Sequence, residues 1–215
     1  MNTDIVEISQ EKPAAEAIAQ AAEVIRRGGV IAAPTDALYA LMADPLSNMA
    51  VERVFQAKGR QPQRSLPLVV DNPFMAEELM KEMTARFQVL ARKYWPGPLT
   101  IIVPASARVP LKVTGNTGRL ALRQSTSSVI NALIEALHQP LVCTSANISG
   151  QPTCRSGIEA FGVLDGRVDL VLDGGGCSGP GATTIDITEP YWKIIKEGAI
   201  GEREIRELLK ATGTH

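Results

Sequence analysis

The sequence has 215 residues, 45% of them hydrophobic, and a formal net charge of −1 at pH 7. This is enough chain for one or two globular domains with a buried core, and the composition excludes a disordered, collagen-like or disulfide-scaffold protein. A net charge near zero also argues against a protein that coats nucleic acid with its whole surface, although it permits a local basic patch.

Few residues in the chain suit histidine or cysteine chemistry. Cys143, Cys154 and Cys177 lie far apart without a CxxC pair, which indicates neither a zinc site nor a disulfide framework and fits a reducing compartment. His138 and His215 are the only histidines, so we expect neither a Ser/His/Asp triad nor a histidine metal site. The polar N-terminus is unlike a signal peptide, and no apolar run approaches the ~20 residues that span a bilayer. We therefore expect a cytoplasmic protein with no metal-ligand set and no membrane contact.

Helical patterns alternate with short apolar runs along the chain. A first helix is predicted at 14–27, because Pro13 suits a first turn and Gly28 and Gly29 stop a helix. The apolar run 30–33 behind it is predicted as a buried strand. The later predictions are, in order, a helix from the N-cap Ser47 to 57, a polar loop at 58–65, a strand at 66–70, helices at 73–81 and 84–94, strands at 99–103 and 120–123, a helix ending at 137, strands at 141–144, 168–172, 183–187 and 192–196, and a helix at 202–210.

This alternation predicts an α/β fold with a twisted, open, mixed sheet flanked by helices. The sequence has no internal repeat, low-complexity tract or linker, so residues 1–215 are predicted to form a single domain. In open α/β sheets, ligands bind in the crevice where strands end, so polar residues at strand ends are the first candidates for a site.

Thr35 and Asp36 follow the strand at 30–33. A hydroxyl and a carboxylate there would orient a small polar ligand. The alternative is that both side chains brace the turn after Pro34, as such residues commonly do. The residues alone do not decide between these functions.

Lys58, Arg60 and Arg64 place three cations within seven residues. Their mutual repulsion is relieved if an anion lies between them, and arginine suits bidentate contacts with phosphate. The alternative is a solvated basic loop. Both a nucleotide phosphate and an RNA backbone fit the functional interpretation.

The segment 143–150 leads from a buried strand into several hydroxyls and an amide, which suit an anionic ligand or a ribose. Cys143 is a weak candidate nucleophile, because no histidine or cation near it in sequence would activate it. The glycines at 174–176, 179 and 181 form neither GxGxxG nor a P-loop, and predict a flexible turn that approaches a ligand through its backbone.

Taken in order, four motifs resemble those of the threonylcarbamoyl-AMP synthase family. They are Pro34-Thr35-Asp36, Lys58-Gly59-Arg60, Trp95-Pro96-Gly97-Pro98-Leu99-Thr100 and Ser145-Ala146-Asn147-Ile148-Ser149-Gly150. The resemblance covers about residues 15–200 and implies a large, positively charged cavity on a twisted α/β sheet. It also implies synthesis of threonylcarbamoyl-AMP and pyrophosphate from ATP, L-threonine and bicarbonate, for the t6A modification of tRNA.

The same resemblance implies roles for individual residues. Lys58 and Arg60 would be catalytic, and Mg²⁺ would be held through the ATP phosphates. The implied ATP-binding residues are Lys58, Arg60, Arg64, Ser145, Asn147 and Lys196. The implied threonine-binding residues are Thr35, Arg123, Thr144 and Thr183. Partners would be the small substrates, indirectly tRNA and the machinery that transfers the threonylcarbamoyl group, and double-stranded RNA.

The chain also departs from the family pattern. The departures are Ala37, Ala40, Val69, Arg119, Gln124, Ala182 and Lys196, which stand where the family usually has Thr, Gly, His, Thr, Pro, Ser and Arg. Two alternatives therefore remain open beside the synthase. One is a factor that binds double-stranded RNA or the ribosome, and the other is a diverged nucleotide-binding paralogue, similar to a YciO-like branch, with another substrate.

Overall fold

The structure is a computed structural model that describes residues 2–61 and 64–214. Residues 62 and 63 of the predicted loop at 58–65, and also His215, lie outside the described residues. None of the described helices is both long and apolar enough to cross a membrane.

Strands and helices alternate along the described chain. The strands are β1 (Asp4–Glu7), β2 (Ile31–Pro34), β3 (Tyr39–Ala43), β4 (Leu68–Val70), β5 (Leu99–Pro104), β6 (Arg119–Gln124), β7 (Leu141–Ser145), β8 (Leu170–Asp173), β9 (Thr183–Asp186) and β10 (Lys193–Lys196). The helices are α1 (Ala15–Arg26), α2 (Asn48–Lys58), α3 (Pro73–Leu79), α4 (Ala85–Tyr94), α5 (Ser128–Leu137), α6 (Gly157–Leu164) and α7 (Glu202–Ala211).

These strands form one mixed sheet in the order β1-β8-β2-β3-β7-β4-β6-β5-β9-β10. The pairs β1–β8, β2–β8, β4–β6 and β5–β9 are parallel. The pairs β2–β3, β3–β7, β4–β7, β5–β6 and β9–β10 are antiparallel. The predicted α/β class with an open mixed sheet is confirmed. The division into domains stays a prediction, although a single sheet contains strands from both ends of the chain.

One face of the sheet carries the larger core. Ala43, Val142, Leu68, Leu122 and Ile101 occupy paired positions on successive strands and are at most 1% exposed. Because paired positions share a face, this row marks one side of the sheet. Buried residues of α2, α4, α6 and α7 belong to the same cluster.

The opposite face is covered over part of its width. Helices α1 and α5 pack there against β2, β3 and β8 in a second cluster. None of the residues that the structure describes in β5, β6 and β9 belongs to that cluster. Instead, Thr100, Ile102, Arg123 and Thr184 are partly exposed. The second cluster therefore leaves this half of the face partly open to solvent.

The structure adds three elements that the sequence analysis did not predict. Strand β1 has the sequence DIVE, in which an acidic residue stands on each side of only two apolar residues, a run too short to predict a strand. Strand β3 lies in the segment after Pro34, to which the sequence analysis assigned no helix or strand, and all of its residues are buried. Helix α6 contains two glycines, which lower helix propensity. In addition, α3 ends at Leu79 rather than at 81, because Met80 adopts an extended conformation.

Candidate active site

Lys58 is the last residue of α2, and the way this helix ends directs its side chain inward. Gly59 follows with a φ of 57°, the left-handed conformation that ends many helices at glycine. Lys58 is only 2% exposed, so it is not part of a solvated basic loop.

The Lys58 ammonium group is surrounded by oxygen acceptors of the β7 loop. Its Nζ donates to Oδ1 of Asn147 at 2.7 Å, to Oγ of Ser145 at 3.2 Å and to the backbone carbonyl of Ser145. Burial is the main cause that lowers its pKa from 10.5 to about 8, and the neighbouring Arg60 lowers it further. Burial therefore destabilises the charged form of Lys58, and an anionic ligand beside it would offset this destabilisation.

Arg60 lies on the other side of the same turn. It donates from Nη1 to Oγ1 of Thr144 at 3.4 Å and from Nη2 to the Ser65 carbonyl at 3.3 Å. Burial, followed by the positive charge of Arg64, lowers the pKa of Arg60. The two arginines therefore repel one another, as the sequence suggested.

A cavity of about 590 Å³ opens beside these cations. Its lining residues are Lys58, Gly59, Arg60, Gln61, Arg64, Ser145, Asn147, Ser149 and Gly150. Three of them are cations and none of these nine is a carboxylate. The structure thus brings together five of the six residues predicted to bind ATP, in a setting suited to phosphate oxygens.

A second polar cluster centres on Arg123 of β6. Its Nε donates to the Gly97 carbonyl at 2.9 Å, and its Nη2 forms an ion pair with Oδ2 of Asp36. Ser125 donates from Oγ to Oδ1 of the same carboxylate at 2.6 Å. Three separate motifs of the sequence meet in this cluster: the segment after β2, the turn before β5 and the end of β6.

Strand β7 connects the two clusters. Thr144 contacts Arg60 and Ser145 contacts Lys58, whereas Cys143 lies close enough to Arg123 and Asp36 for both charges to affect its titration. Burial raises the pKa of the Cys143 thiol to about 12, with Arg123 lowering it and Asp36 raising it. The thiol stays protonated at neutral pH, which supports the view that Cys143 is not a nucleophile.

Two of the threonines predicted to bind the amino acid have roles within the fold. Oγ1 of Thr35 donates to the Leu38 carbonyl at 2.7 Å and accepts from the backbone nitrogen of Ala37, so it braces the turn. Thr183 is fully buried, and its Oγ1 donates to the Ile200 carbonyl and accepts from the nitrogens of Gly198 and Ile200. Both hydroxyls are therefore engaged by backbone groups of the protein, and their role in threonine binding stays a prediction.

Lys196, the sixth residue predicted to bind ATP, lies at the end of β10, outside the cavity lining. It is exposed and forms no part of the Lys58 cluster in this structure.

The departures Ala37, Ala40 and Val69 are at most 8% exposed. These three side chains pack into the protein interior, and Val69 pairs with Arg123 across β4 and β6. Arg119 forms ion pairs with Asp186 and Glu189.

Sequence reasoning missed Tyr39 and Ser125. The hydroxyl of Tyr39 accepts from the nitrogen of Gly174 and donates to the carbonyl of Gly175, both at 2.9 Å, which fixes the start of the glycine-rich loop. Burial is the main cause that raises the pKa of Tyr39 to about 12. Ser125 lies two residues before Ser127, which is the N-cap of α5. The role of Ser125 becomes visible only in the folded protein, where Asp36 accepts its hydrogen bond.

Comparisons with known proteins identify the family of this chain. The family model Sua5_yciO_yrdC, described as telomere recombination, matches residues 23–198. The chain belongs to the Sua5/YciO/YrdC family. The four motifs that line or support the two clusters all lie within the matched region of this family.

Two curated members of the Sua5/YciO/YrdC family are called threonylcarbamoyl-AMP synthase. The protein of Pyrococcus abyssi is 34% identical over 196 residues, which cover 91% of this chain and 58% of the relative. The protein of Xanthomonas campestris pv. campestris is 38% identical over 169 residues, 74% of this chain and 88% of the relative. The chain thus spans little more than half of the archaeal relative and most of the bacterial one.

The solved structure of Pyrococcus abyssi Sua5 complexed with L-threonine matches with a TM-score of 0.91. It is 33% identical, and the match covers 96% of this chain and 61% of that one. The sheet and helices described above are therefore the fold of this family.

Proposed function

We propose that this protein forms threonylcarbamoyl-AMP and pyrophosphate from ATP, L-threonine and bicarbonate. The observation that carries the proposal is the cavity of about 590 Å³ in which Lys58, Arg60 and Arg64 face Ser145 and Asn147. Two relatives at 34% and 38% identity that are called threonylcarbamoyl-AMP synthase support the reaction. A relative of the same fold complexed with L-threonine supports the amino acid.

In this proposal the cationic cavity holds the triphosphate of ATP. The amine of threonine takes up CO₂, which bicarbonate supplies on dehydration, and loses a proton to give a carbamate. A carbamate oxygen then attacks the α-phosphorus, so that a new P–O bond forms while the bond from the α-phosphorus to the bridging oxygen breaks and pyrophosphate leaves. Lys58 and Arg60 stabilise the negative charge that collects on the phosphate oxygens, and alignment of the two reactants supplies most of the remaining rate. Ser145 and Asn147 keep the ammonium group of Lys58 in place.

Mg²⁺ enters this scheme as part of the substrate Mg-ATP. The cavity lining contains no carboxylate, and the described residues contain no group of three or more His, Cys, Asp and Glu side chains that would hold a metal ion. The residues present therefore fit the phosphates that carry the ion. When bound, Mg²⁺ neutralises phosphate charge.

We place the threonine near Arg123, on the partly exposed half of the sheet face that also carries Thr100 and Thr184. Arg123 is partly exposed and lies close enough to Cys143 of β7 to affect its titration. Because Ser145 of the same strand lines the cationic cavity, this supports a threonine position beside the ATP. Thr144 takes part in the site by accepting a hydrogen bond from Arg60, which links the threonine position to the cationic cavity. The product would pass to the tRNA-modifying machinery, in a cytoplasmic setting.

The test is product formation by the purified protein with Mg-ATP, L-threonine and bicarbonate, followed by mass spectrometry of threonylcarbamoyl-AMP and a pyrophosphate assay. Product that requires both threonine and bicarbonate is expected. Serine in place of threonine, and omission of bicarbonate, are the matched controls. ATP binding without product from either amino acid would contradict the proposal and favour a nucleotide-binding paralogue with another substrate.

Binding of double-stranded RNA can be measured on the same purified protein as the adenylate assay. Contacts with an RNA backbone weaken steeply as salt rises, whereas a triphosphate in a defined cavity depends less on ionic strength. RNA binding that Mg-ATP displaces would show that both ligands use the cavity.

A further inference from the structure

We propose that Asp36 is a positioning residue for amino-acid binding, which holds the guanidinium of Arg123 so that one edge stays available to the carboxylate of the substrate. The inference rests on the proposed function and adds a residue that the motif analysis assigned only to a turn or to an unspecified polar ligand. Four observations support it.

The first observation is how completely one side of Arg123 is held. Nε donates to the Gly97 carbonyl at 2.9 Å, and Nη2 is paired with Oδ2 of Asp36. Among the described residues, no hydrogen bond or ion pair engages Nη1. A guanidinium presents its donors in a rigid plane, so fixing Nε and Nη2 also fixes the direction of Nη1.

The second observation is that Asp36 is itself fixed. Oδ1 accepts from Oγ of Ser125 at 2.6 Å, so both carboxylate oxygens are engaged. The turn that carries Asp36 is braced by Oγ1 of Thr35, which accepts from the nitrogens of Ala37 and Leu38. A carboxylate held at both oxygens on a braced turn provides a defined position for the ion pair.

The third observation concerns the Gly97 carbonyl. The nitrogen of Gly97 donates to the Gln124 carbonyl at 2.9 Å, which ties the turn before β5 to the strand that carries Arg123. A Cβ at Gly97 would lie 2.4 Å from the Tyr94 carbonyl, so the turn requires glycine to keep this approach. The carbonyl that receives Nε is therefore set by the backbone.

The fourth observation is the distribution of charge. Lys58, Arg60 and Arg64 lie together without a carboxylate in the cavity lining, which suits a polyanion. Arg123 is balanced by Asp36, with side-chain exposed fractions of 14% and 18%. A neutral pair with one free donor edge suits a carboxylate on a ligand with little net charge, and disfavours a second triphosphate at that place.

The experiment compares wild type, Asp36→Asn, Asp36→Glu and Ser125→Ala by steady-state kinetics and by calorimetric titration with L-threonine. We expect Asp36→Asn to raise the KM for threonine about tenfold, the effect of one weakened charged contact, with the KM for ATP and kcat within about twofold. Ser125→Ala should change the threonine KM in the same direction by about threefold, and Asp36→Glu should restore part of the loss.

Asp169→Asn is the matched control. Asp169 forms a partly buried ion pair with Arg53 at 2.8 Å, with side-chain exposed fractions of 28% and 25%, and it belongs to neither cluster. It should reduce stability and leave the threonine KM unchanged. This control separates loss of an ion pair in general from loss of the pair at Arg123.

The outcomes distinguish this inference from the proposed function. A folded Asp36→Asn protein with an unchanged threonine KM, or with equal increases for threonine and ATP, would overturn the positioning role. A wild-type protein that makes no adenylate would overturn the proposed function. In that case, threonine binding that Asp36→Asn weakens would still support the role of Asp36, and equal binding by both proteins would exclude it.

Discussion

The ammonium group of Lys58 donates to the side-chain oxygen of Asn147 at 2.7 Å, and Asn147 in turn donates from Nδ2 to the Gln151 carbonyl at 2.6 Å. This chain of contacts joins the end of α2 to the loop after β7. The nitrogen of Ser149 also donates to the Lys58 carbonyl at 2.8 Å. The cavity is therefore assembled from two segments almost 90 residues apart, and each depends on the other.

Replacing Lys58 with alanine should reduce adenylate formation at least about 100-fold, because a buried cation that faces the transferred phosphates is lost. The measurement is pyrophosphate release under saturating substrates. Lys112→Ala is the control, since Lys112 forms an exposed ion pair with Glu52 at 3.1 Å. Equal activity of Lys58→Ala and Lys112→Ala would contradict the phosphate role.

The lowered pKa of Lys58, about 8, predicts a pH dependence of ATP affinity. As pH rises through about 8, Lys58 loses its charge and the Kd for ATP should increase. Titration calorimetry from pH 7 to 9.5 at constant ionic strength measures this change. In Lys58→Gln the profile should be flatter, and parallel profiles for the two proteins would count against Lys58 as the titrating group.

The same shift has a consequence for stability. The folded pKa lies below the ordinary 10.5, so between about pH 8 and 10.5 the unfolded chain binds more protons than the native protein. The contribution of Lys58 to the free energy of unfolding therefore rises with pH across that window. Denaturant unfolding of wild type and Lys58→Gln at the two ends of the window should show this difference.

Arg119→Ala should lower the free energy of unfolding by about 1–2 kcal/mol, because it removes the charged partner of a buried carboxylate. Asp186 is 4% exposed and pairs with Arg119 at 3.0 Å. Thr188 still donates two hydrogen bonds to Asp186, which limits the loss. Glu189→Ala, on the exposed side of the same arginine, should cost less than about 0.5 kcal/mol in the same denaturant titration. Equal losses of unfolding free energy in Arg119→Ala and Glu189→Ala would contradict the view that the pair with Asp186 is the stabilising one.

Tyr39→Phe should lower the free energy of unfolding by about 1–2 kcal/mol and increase hydrogen exchange at Gly174 and Gly175. The hydroxyl of Tyr39 makes two hydrogen bonds to that loop, and the ring is 1% exposed. Mass-spectrometric hydrogen exchange reads the loop directly. Tyr191→Phe is the control, since Tyr191 is 87% exposed. Unchanged exchange at the two glycines would show that the loop is fixed by other contacts.

The sequence predicted most of the elements because their signals are local. Ser47 accepts from the nitrogen of Ala50 as an N-cap should, and Gly59 ends the same helix in a left-handed conformation. Strands β9 and β10 form where strands were predicted, and they pair antiparallel. Strand β3 was not predicted, although Tyr39–Ala43 is an unbroken apolar run typical of a buried strand, and the structure pairs it with β2 and β7.

For the candidate site, the order of motifs predicted which residues meet and not how each is used. Lys58, Arg60, Arg64, Ser145 and Asn147 do line one cavity. Thr183 was also implied as a site residue, yet its hydroxyl is saturated by backbone groups 15 and 17 residues further on. Hydrogen-bond saturation depends on tertiary contacts, so the residue type alone does not distinguish a ligand contact from an internal brace.

The position of β1 has a consequence for how the chain folds during synthesis. Asp4 pairs with Leu170, and the hydroxyl of Thr3 donates to the carbonyl of Val168, 165 residues later. Strand β1 is synthesised long before its partner β8, so it can pair only after β8 has been made. The hairpin of β2 and β3 needs no such delay, because its partners are adjacent in sequence. The pairing of β1 with β8 therefore closes a much longer loop of chain than the pairing of β2 with β3.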